Sequence, residues 1–307
     1  MPTDLRHSII RVLAYFDLFD YPVSMGEIFS FLDQPISMEK LAEALQQLLK
    51  AEIIFLSQHF YTIQDNDALT VRRIAGNRRA QPLLRIGRRI SRFLFQIPYV
   101  RAIGISGSLS KNFAGEDADI DYFIITKANR LWIARTMMHL FKKLSFLFGR
   151  QHWYCMNYYI DEEALEIEEK NIFTAIELIT LLPVRGDGVL QKFINKNDWA
   201  NVFYPNYRLK ISDADTLSKD SKLKRFMESL FNNRFGDWLD NYLMKVTTYR
   251  WNRKEEQQKR SVKGTRMSLH TGKHFSKPNP VYFQKEILVL YNDKLSNMAA
   301  KWDKNLV

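Results

Sequence analysis

The stretch from Ile103 to Thr126, IGISGSLSKNFAGEDADIDYFIIT, constrains this chain more than any other. An apolar run ends in Gly107-Ser108, and after ten more residues Asp119-Ile120-Asp121 runs directly into Tyr122-Phe123-Ile124-Ile125. The pattern predicts a strand, a tight turn and a second strand. Side chains alternate across a strand, so Asp119 and Asp121 are expected on one face, close together. Two such carboxylates repel unless a cation lies between them. Hard oxygen ligands at that spacing suit Mg²⁺, or Mn²⁺, held together with substrate phosphates. Glycine lets a backbone approach an anion closely. Turn amides at Gly107 and the Ser108 hydroxyl can then donate to phosphate oxygens, with Ser110 and Lys111 as further contacts.

The Asp-x-Asp spacing alone discriminates little. Nineteen aspartates form it four times, at 65/67, 117/119, 119/121 and 213/215, and only Asp119/Asp121 leads into an apolar strand. Gly107-Ser108 is the one Gly-Ser dipeptide in the chain, and it directly follows an apolar run. The conjunction of the two elements is what carries information.

Together, Ser106-Gly107-Ser108 and Asp119-Ile120-Asp121 resemble the signature of the polymerase-β-type nucleotidyltransferase superfamily: an apolar residue, Gly-Ser, about ten residues, then Asp-x-Asp within a strand. The resemblance spans residues 99–160. It implies that Asp119 and Asp121 hold two Mg²⁺ ions and that Gly107 and Ser108 hold an NTP triphosphate. An acceptor hydroxyl then attacks the α-phosphorus and pyrophosphate leaves. The acceptor stays open among a small molecule, a protein side chain and RNA. The family also places a third carboxylate on a later strand. That strand is read here over Trp153–Ile160, whose central polar residue is Asn157. Asp161 at its end is the candidate third catalytic acid, with Glu166 and Glu168 beyond it. With Asn157 in the third position the site holds one charge fewer. The alternative function is then a catalytically weakened domain that binds nucleotide or RNA as a regulatory module. A third class, sugar-nucleotide glycosyltransferases, also uses Asp-x-Asp. There the motif follows a nucleotide-binding α/β unit of about 100 residues, whereas here one strand precedes it.

The flanking segments complete an α+β reading: a nucleotidyltransferase-type mixed sheet flanked by helices, an N-terminal winged helix and a C-terminal helical region. Residues 1–66 read as the winged-helix-like domain. Ile9, Val12, Leu13 and Phe16 recur at helical spacing. Ser24 with Glu27 spells a capping box, and Ser37 repeats the N-cap. Ile53–Leu56 and Phe60–Ile63 flank a hairpin turn. The third helix would be the DNA reader, but Glu39, Lys40, Glu43, Gln46, Gln47 and Lys50 give it a nearly neutral face. That argues against DNA binding and for packing or protein contact. Residues 67–98 form an arginine-rich helical linker. Its core, 72–92, carries eight arginines and no acid, and reads as one or two helices divided at Pro82. Such a segment lines an anionic cleft, contacts a nucleic acid or forms a solvated face. Residues 99–203 are the expected nucleotidyltransferase domain and 204–307 the helical region. Within the latter, 250–277 holds nine Lys/Arg against Glu255 and Glu256 and is expected as a mobile basic loop.

Composition limits the function classes further. The net charge of +11 favours polyanionic partners. The single cysteine, Cys155, excludes an intrachain disulfide and fits a reducing compartment. No uncharged run reaches the roughly 18 residues of a membrane span, since Leu131–Phe148 is interrupted by Arg135, Lys142 and Lys143. The N-terminal MPTDLRHSII lacks a signal-peptide pattern. The expectation is a cytoplasmic protein without membrane contact. Three local motifs lead nowhere. Seven residues, not four, separate Gly264 from Gly272, and His274 replaces the Ser/Thr of a P-loop. His270 and His274 straddle Gly272 without a further ligand. Ser108 has no histidine partner in the sequence.

Overall fold

In the computed structural model the described residues are 5–146, 153–186, 188–207, 220–258, 269–278 and 280–302. The chain opens with α1 (Leu5–Asp17), β1 (Val23–Ser24), α2 (Met25–Ser30) and α3 (Met38–Lys50), then β2 (Phe55–Ser57) and β3 (Phe60–Thr62). The strands form an antiparallel sheet in the order β1-β3-β2. The expected caps are in place. The Ser24 hydroxyl accepts from the Glu27 amide, and Glu27 accepts from the Ser24 amide at 2.8 Å. The Ser37 hydroxyl accepts from the Lys40 amide. Each satisfies a first-turn amide that the helix itself leaves unpaired. Ile9, Leu13, Ile28, Leu32, Leu41 and Leu45 are buried between the three helices.

The arginine-rich segment is one helix, α4 (Asp67–Leu94), with Pro82 inside it. Of the one or two helices expected, the structure has one, unbroken at Pro82. Proline removes one intrahelical hydrogen bond, to the carbonyl four residues back. Here both Pro82 and Arg78 are exposed, so water can take that carbonyl. Gly87 lets the helix lie directly on the sheet: a Cβ there would stand 2.9 Å from the Ile105 Cδ1.

The remaining elements are β4 (Val100–Ile105), α5 (Gly107–Ser110), β5 (Asp121–Thr126), α6 (Leu131–Phe146), β6 (Cys155–Asp161), α7 (Ile172–Ile179), β7 (Leu182–Gly186), α8 (Val189–Lys196) and α9 (Ala200–Phe203). After them come α10 (Lys222–Leu230), α11 (Arg234–Glu256), β8 (Leu269–Thr271), β9 (Phe275–Pro278) and α12 (Pro280–Trp302). The large sheet is mixed, ordered β7-β4-β5-β6-β9-β8. Only β5 and β6 pair in parallel. Pro183 sits in the edge strand β7, where a missing ladder donor is tolerated. Both faces of β5 are covered. Tyr122 and Ile124 pack with Leu94, Trp132 and Met138 from α4 and α6. Phe123 and Ile125 pack with Ala175, Ile176 and Phe193, in a core continuous with that of the first three helices. Among the described residues no helix is long and apolar enough to cross a membrane.

The C-terminal part departs from the expected helical region with its mobile basic loop at 250–277. Arg250–Glu256 belong to α11, and Leu269–Pro278 form the β8–β9 hairpin that extends the sheet beyond β6. Gly272 is in the hairpin turn, with its amide donating to the Phe275 carbonyl at 3.0 Å. Lys277 is buried because its Nζ donates to both Glu169 oxygens at 2.8 Å. The rest of that expectation, residues 259–268, lies outside the described residues.

α11 is docked on α6 through a buried acid. Asp240 Oδ1 accepts from the Ile133 amide in the first turn of α6 at 2.9 Å. Burial pushes the Asp240 carboxyl up to about 6, against the opposing pull of the Ile133 and Trp132 amides and Arg130. The folded chain therefore holds this proton to higher pH than the unfolded chain, and stability falls as pH rises from the ordinary aspartate range through about 6. Asp240→Asn keeps the acceptor and removes the charge. It should stabilise the protein by about 1–3 kcal/mol near neutral pH. The gain should vanish below the ordinary aspartate pKa, and urea denaturation across that pH range reads it directly.

Candidate functional site

β4 ends at Ile105, and the Ser106 amide donates to the Asp121 carbonyl at 3.0 Å. The chain then turns at Gly107, whose φ of +70° is a left-handed conformation. β5 returns antiparallel and sets Asp121 against that turn. A Cβ on Gly107 would lie 2.8 Å from the Asp121 Oδ2. Glycine is thus required twice, for the backbone angle and for the space the carboxylate fills. Gly107→Ala should cost about 1–2 kcal/mol for the left-handed residue alone. It should also push the Asp121 carboxylate away, so any activity of the site should fall further than the loss of stability explains. Thermal unfolding and turnover measured on the same samples separate the two effects.

Asp119 and Asp121 are both half-buried. β5 begins at Asp121, so Asp119 lies in the approach to the strand. The ladder to β6 nevertheless reaches back one residue, since the Ile120 carbonyl accepts from the Cys155 amide at 3.2 Å. Both carboxylates act on the Cys155 thiol. Burial first, then the charge of Asp121 and of Asp119, push that thiol up to about 12. Cys155 therefore stays protonated near neutrality, and Asp121 accepts its hydrogen bond. A thiol in that state is neither a nucleophile nor a metal ligand.

Ser108 is exposed at the head of α5. Ser110 and Lys111, expected as phosphate contacts, turn onto the loop itself. The Ser110 hydroxyl donates to the Gly107 carbonyl at 2.8 Å, and Lys111 Nζ donates to the same oxygen at 3.2 Å. Lys111 also pairs with Glu177 of α7 at 2.7 Å. A four-residue helix satisfies few of its own carbonyls, so nearby donors are drawn to them.

The base of this turn is held from outside. The Tyr21 hydroxyl donates to the Lys111 carbonyl at 2.8 Å, and its ring meets Phe113 edge-on at 5.6 Å. From α4, Gln81 donates to Asn112 at 2.7 Å and Arg79 to the Ala114 carbonyl at 3.0 Å. Tyr21 was invisible as a site residue, because its partner lies 90 positions away in sequence.

Asp161, the expected third catalytic acid, is not part of this group. In the parallel register Asp121 pairs with Cys155 and Thr126 pairs with Asp161. Five residues of strand place Asp161 at the opposite end, about 16 Å away. It is fully buried there, accepting from the amides of Asn129 at 2.8 Å and Glu163 at 3.0 Å and facing His274 Nδ1 at 2.9 Å. Its work is to tie β6, the loop before α6 and the β8–β9 turn together. Glu166 and Glu168 follow it at that far end, exposed, with Glu166 paired to Lys170. Asn157 falls between Met156 and Tyr158, where the β5–β6 register shifts. Among the described residues no group of three or more His, Cys, Asp or Glu is arranged to hold a metal ion. Asp121 sits against the turn, Asp119 precedes it by two residues, and Glu177 of α7 is tied to the turn through Lys111.

The eight arginines of α4 divide by role. Arg73 is buried, pairing with Glu27 at 2.8 Å and stacking 3.6 Å above the Tyr21 ring. Arg72 donates to the Asp20 carbonyl at 2.6 Å, and Arg79 holds Ala114. Arg78, Arg85, Arg89 and Arg92 are exposed. Set against protein-family models, curated proteins and solved structures, the chain matches none of them.

Proposed function

We propose that the chain is a Mg²⁺-dependent nucleotidyltransferase, built as a nucleotidyltransferase-type sheet with a winged-helix-like N-terminal unit. The observation that carries this reading is the seating of the Asp121 carboxylate on the Gly107 turn, with Asp119 near enough to act on the same Cys155 thiol. The donor set fits the metal: two carboxylates bind Mg²⁺ in partnership with substrate phosphates, which supply the remaining oxygens. When bound, the ion neutralises charge developing on the transferred phosphoryl group. Asp119 and Asp121 would hold it, while the exposed Ser108 and the Gly107–Ser108 amides would meet the phosphates. The acceptor hydroxyl oxygen bonds to the α-phosphorus as the bond from that phosphorus to the β-phosphate oxygen breaks; the hydroxyl proton passes to water, and pyrophosphate carries away the electron pair.

A second reading has its own support. Cys155, a protonated thiol, stands next to Asp121, and Asp161 is at the other end of the strand. Tyr21 links the winged-helix-like unit directly to the phosphate turn. Both favour a nucleotide-binding module that signals through that unit. The experiment is turnover of each of the four NTPs with Mg²⁺ or Mn²⁺, following pyrophosphate release and α-label on any acceptor, including the chain itself. Release that depends on Asp121 supports the enzyme. Binding without release for every NTP sinks it and leaves the regulatory module.

A further inference from the structure

On the Tyr122 side of the sheet, α6 and α11 enclose a groove of about 950 Å³. Six cations line it, Arg135, Lys143, Lys245, Arg250, Arg253 and Lys254, with no Asp or Glu among the lining residues. Like charges gathered in a concave wall raise the local potential and attract a polyanion. His139, between them on α6, registers that field. Burial and the charges of Arg135, Lys142 and Lys143 push its imidazole down to about 3, so it stays neutral.

Aromatic rings share the surface. Tyr249, 68% exposed, and Trp251 line the same groove, with Lys254 Nζ 4.6 Å above the Trp251 ring. Further along α11, Phe235, Trp238 and Tyr242 are each more than half exposed. They stack in series, Phe235 on Trp238 at 5.6 Å and Trp238 on Tyr242 at 5.5 Å. Positions 235, 238, 242, 245, 249 and 253 recur at three- and four-residue spacing, so they form one stripe along the helix. The ring row therefore runs into Lys245, Tyr249 and Arg253, over about 27 Å of helix.

We propose that this stripe and groove bind a single-stranded nucleic acid, with phosphates along the cations and bases on the exposed rings. Unpaired bases are required, because a duplex hides the faces that would stack. A membrane surface calls for a convex apolar face, whereas these cations line a concavity. An acidic peptide would leave the ring row uncovered. RNA and single-stranded DNA share the chemistry used here. The inference stands apart from the aspartate pair, since neither Asp119 nor Asp121 lines the groove.

Fluorescence anisotropy of the full chain tests it with labelled oligo(U), oligo(dT) and a duplex of equal length, alongside flotation with phosphatidylserine vesicles. The single strands should bind more tightly than the duplex, and the oligo(U)-to-oligo(dT) ratio shows whether the sugar is read. The triple variant Lys245→Gln/Arg253→Gln/Lys254→Gln should weaken binding at least about tenfold and flatten the log–log salt slope by about 2. Trp238→Ala/Tyr249→Ala should also weaken it about tenfold, with the slope unchanged. Circular dichroism confirms that the exposed-residue variants remain folded. Asp121→Asn should leave binding intact, so failure at the aspartate site and failure here are distinguishable. Equal binding of strand and duplex, insensitivity to either variant set, or vesicle binding without oligonucleotide binding would each overturn the proposal.

Discussion

Asp121→Asn is expected to lower pyrophosphate release by at least about a hundredfold, with the fold intact. Asparagine keeps the shape that fills the space above Gly107, where Oδ2 stands 2.8 Å from a virtual Cβ. What it removes is one of two charges available to a divalent ion. Asp161 is not placed to compensate, since it lies at the other end of β6. Each factor of ten corresponds to about 1.4 kcal/mol of transition-state stabilisation, and a hard anionic ligand to Mg²⁺ contributes several times that. Asp119→Asn should act in the same direction. Asp161→Asn should instead lower stability, because its carboxylate serves two amides and His274. The thiol provides a readout independent of turnover. Removing the Asp121 charge relieves part of what holds Cys155 up at about 12, so its alkylation by iodoacetamide at alkaline pH should quicken. Undiminished turnover in Asp121→Asn would end the enzyme reading.

Arg73→Met should destabilise the protein by about 3–5 kcal/mol, the usual cost of removing one partner of a buried ion pair. Arg73 is 4% exposed and Glu27 26%. The guanidinium donates to Glu27 at 2.8 Å, to Asn77 at 2.9 Å and to the Pro22 carbonyl at 3.2 Å, and it lies over two aromatic rings. Methionine fills the volume but leaves a carboxylate and a carbonyl without this donor. Tyr21 borders both this arginine and the Lys111 carbonyl, so the Gly107–Lys111 turn should loosen as well. Arg89→Met, at an exposed position of the same helix, should change stability by no more than about 0.5 kcal/mol. Urea denaturation of the two variants side by side measures the contrast. Similar losses in both would mean that α4 responds to total charge and not to this contact.

Much of the local architecture was legible in the residues. Ser24, Glu27 and Ser37 spelled their caps through bonds that reach three positions. Gly107-Ser108 marked the turn between two apolar runs, and that turn carries a positive φ. The apolar run that follows Asp121 marked β5 as a strand, and the structure buries it on both faces. Reading failed where partners are distant. The arginines of α4 look alike in sequence, yet Arg73 is buried against Tyr21 and Glu27 while Arg89 is exposed. The basic stretch at 250–277 gave no period of its own, because β8 and β9 are short and draw their stability from β6.

The sequence by itself determined the elements whose causes lie within a few residues: the helix caps, the glycine turn, and the two aspartates leading into β5. Only the tertiary structure decided which side chains share the site. Parallel strands need a long crossover, here α6, and nothing local sets their register. Packing of Tyr122 and Phe123 on opposite faces sets it instead. That register brought Cys155 beside Asp121 and carried Asp161 to the far end of the strand. It left the Gly107 turn with Asp121 against it and a tyrosine from the N-terminal unit beneath it.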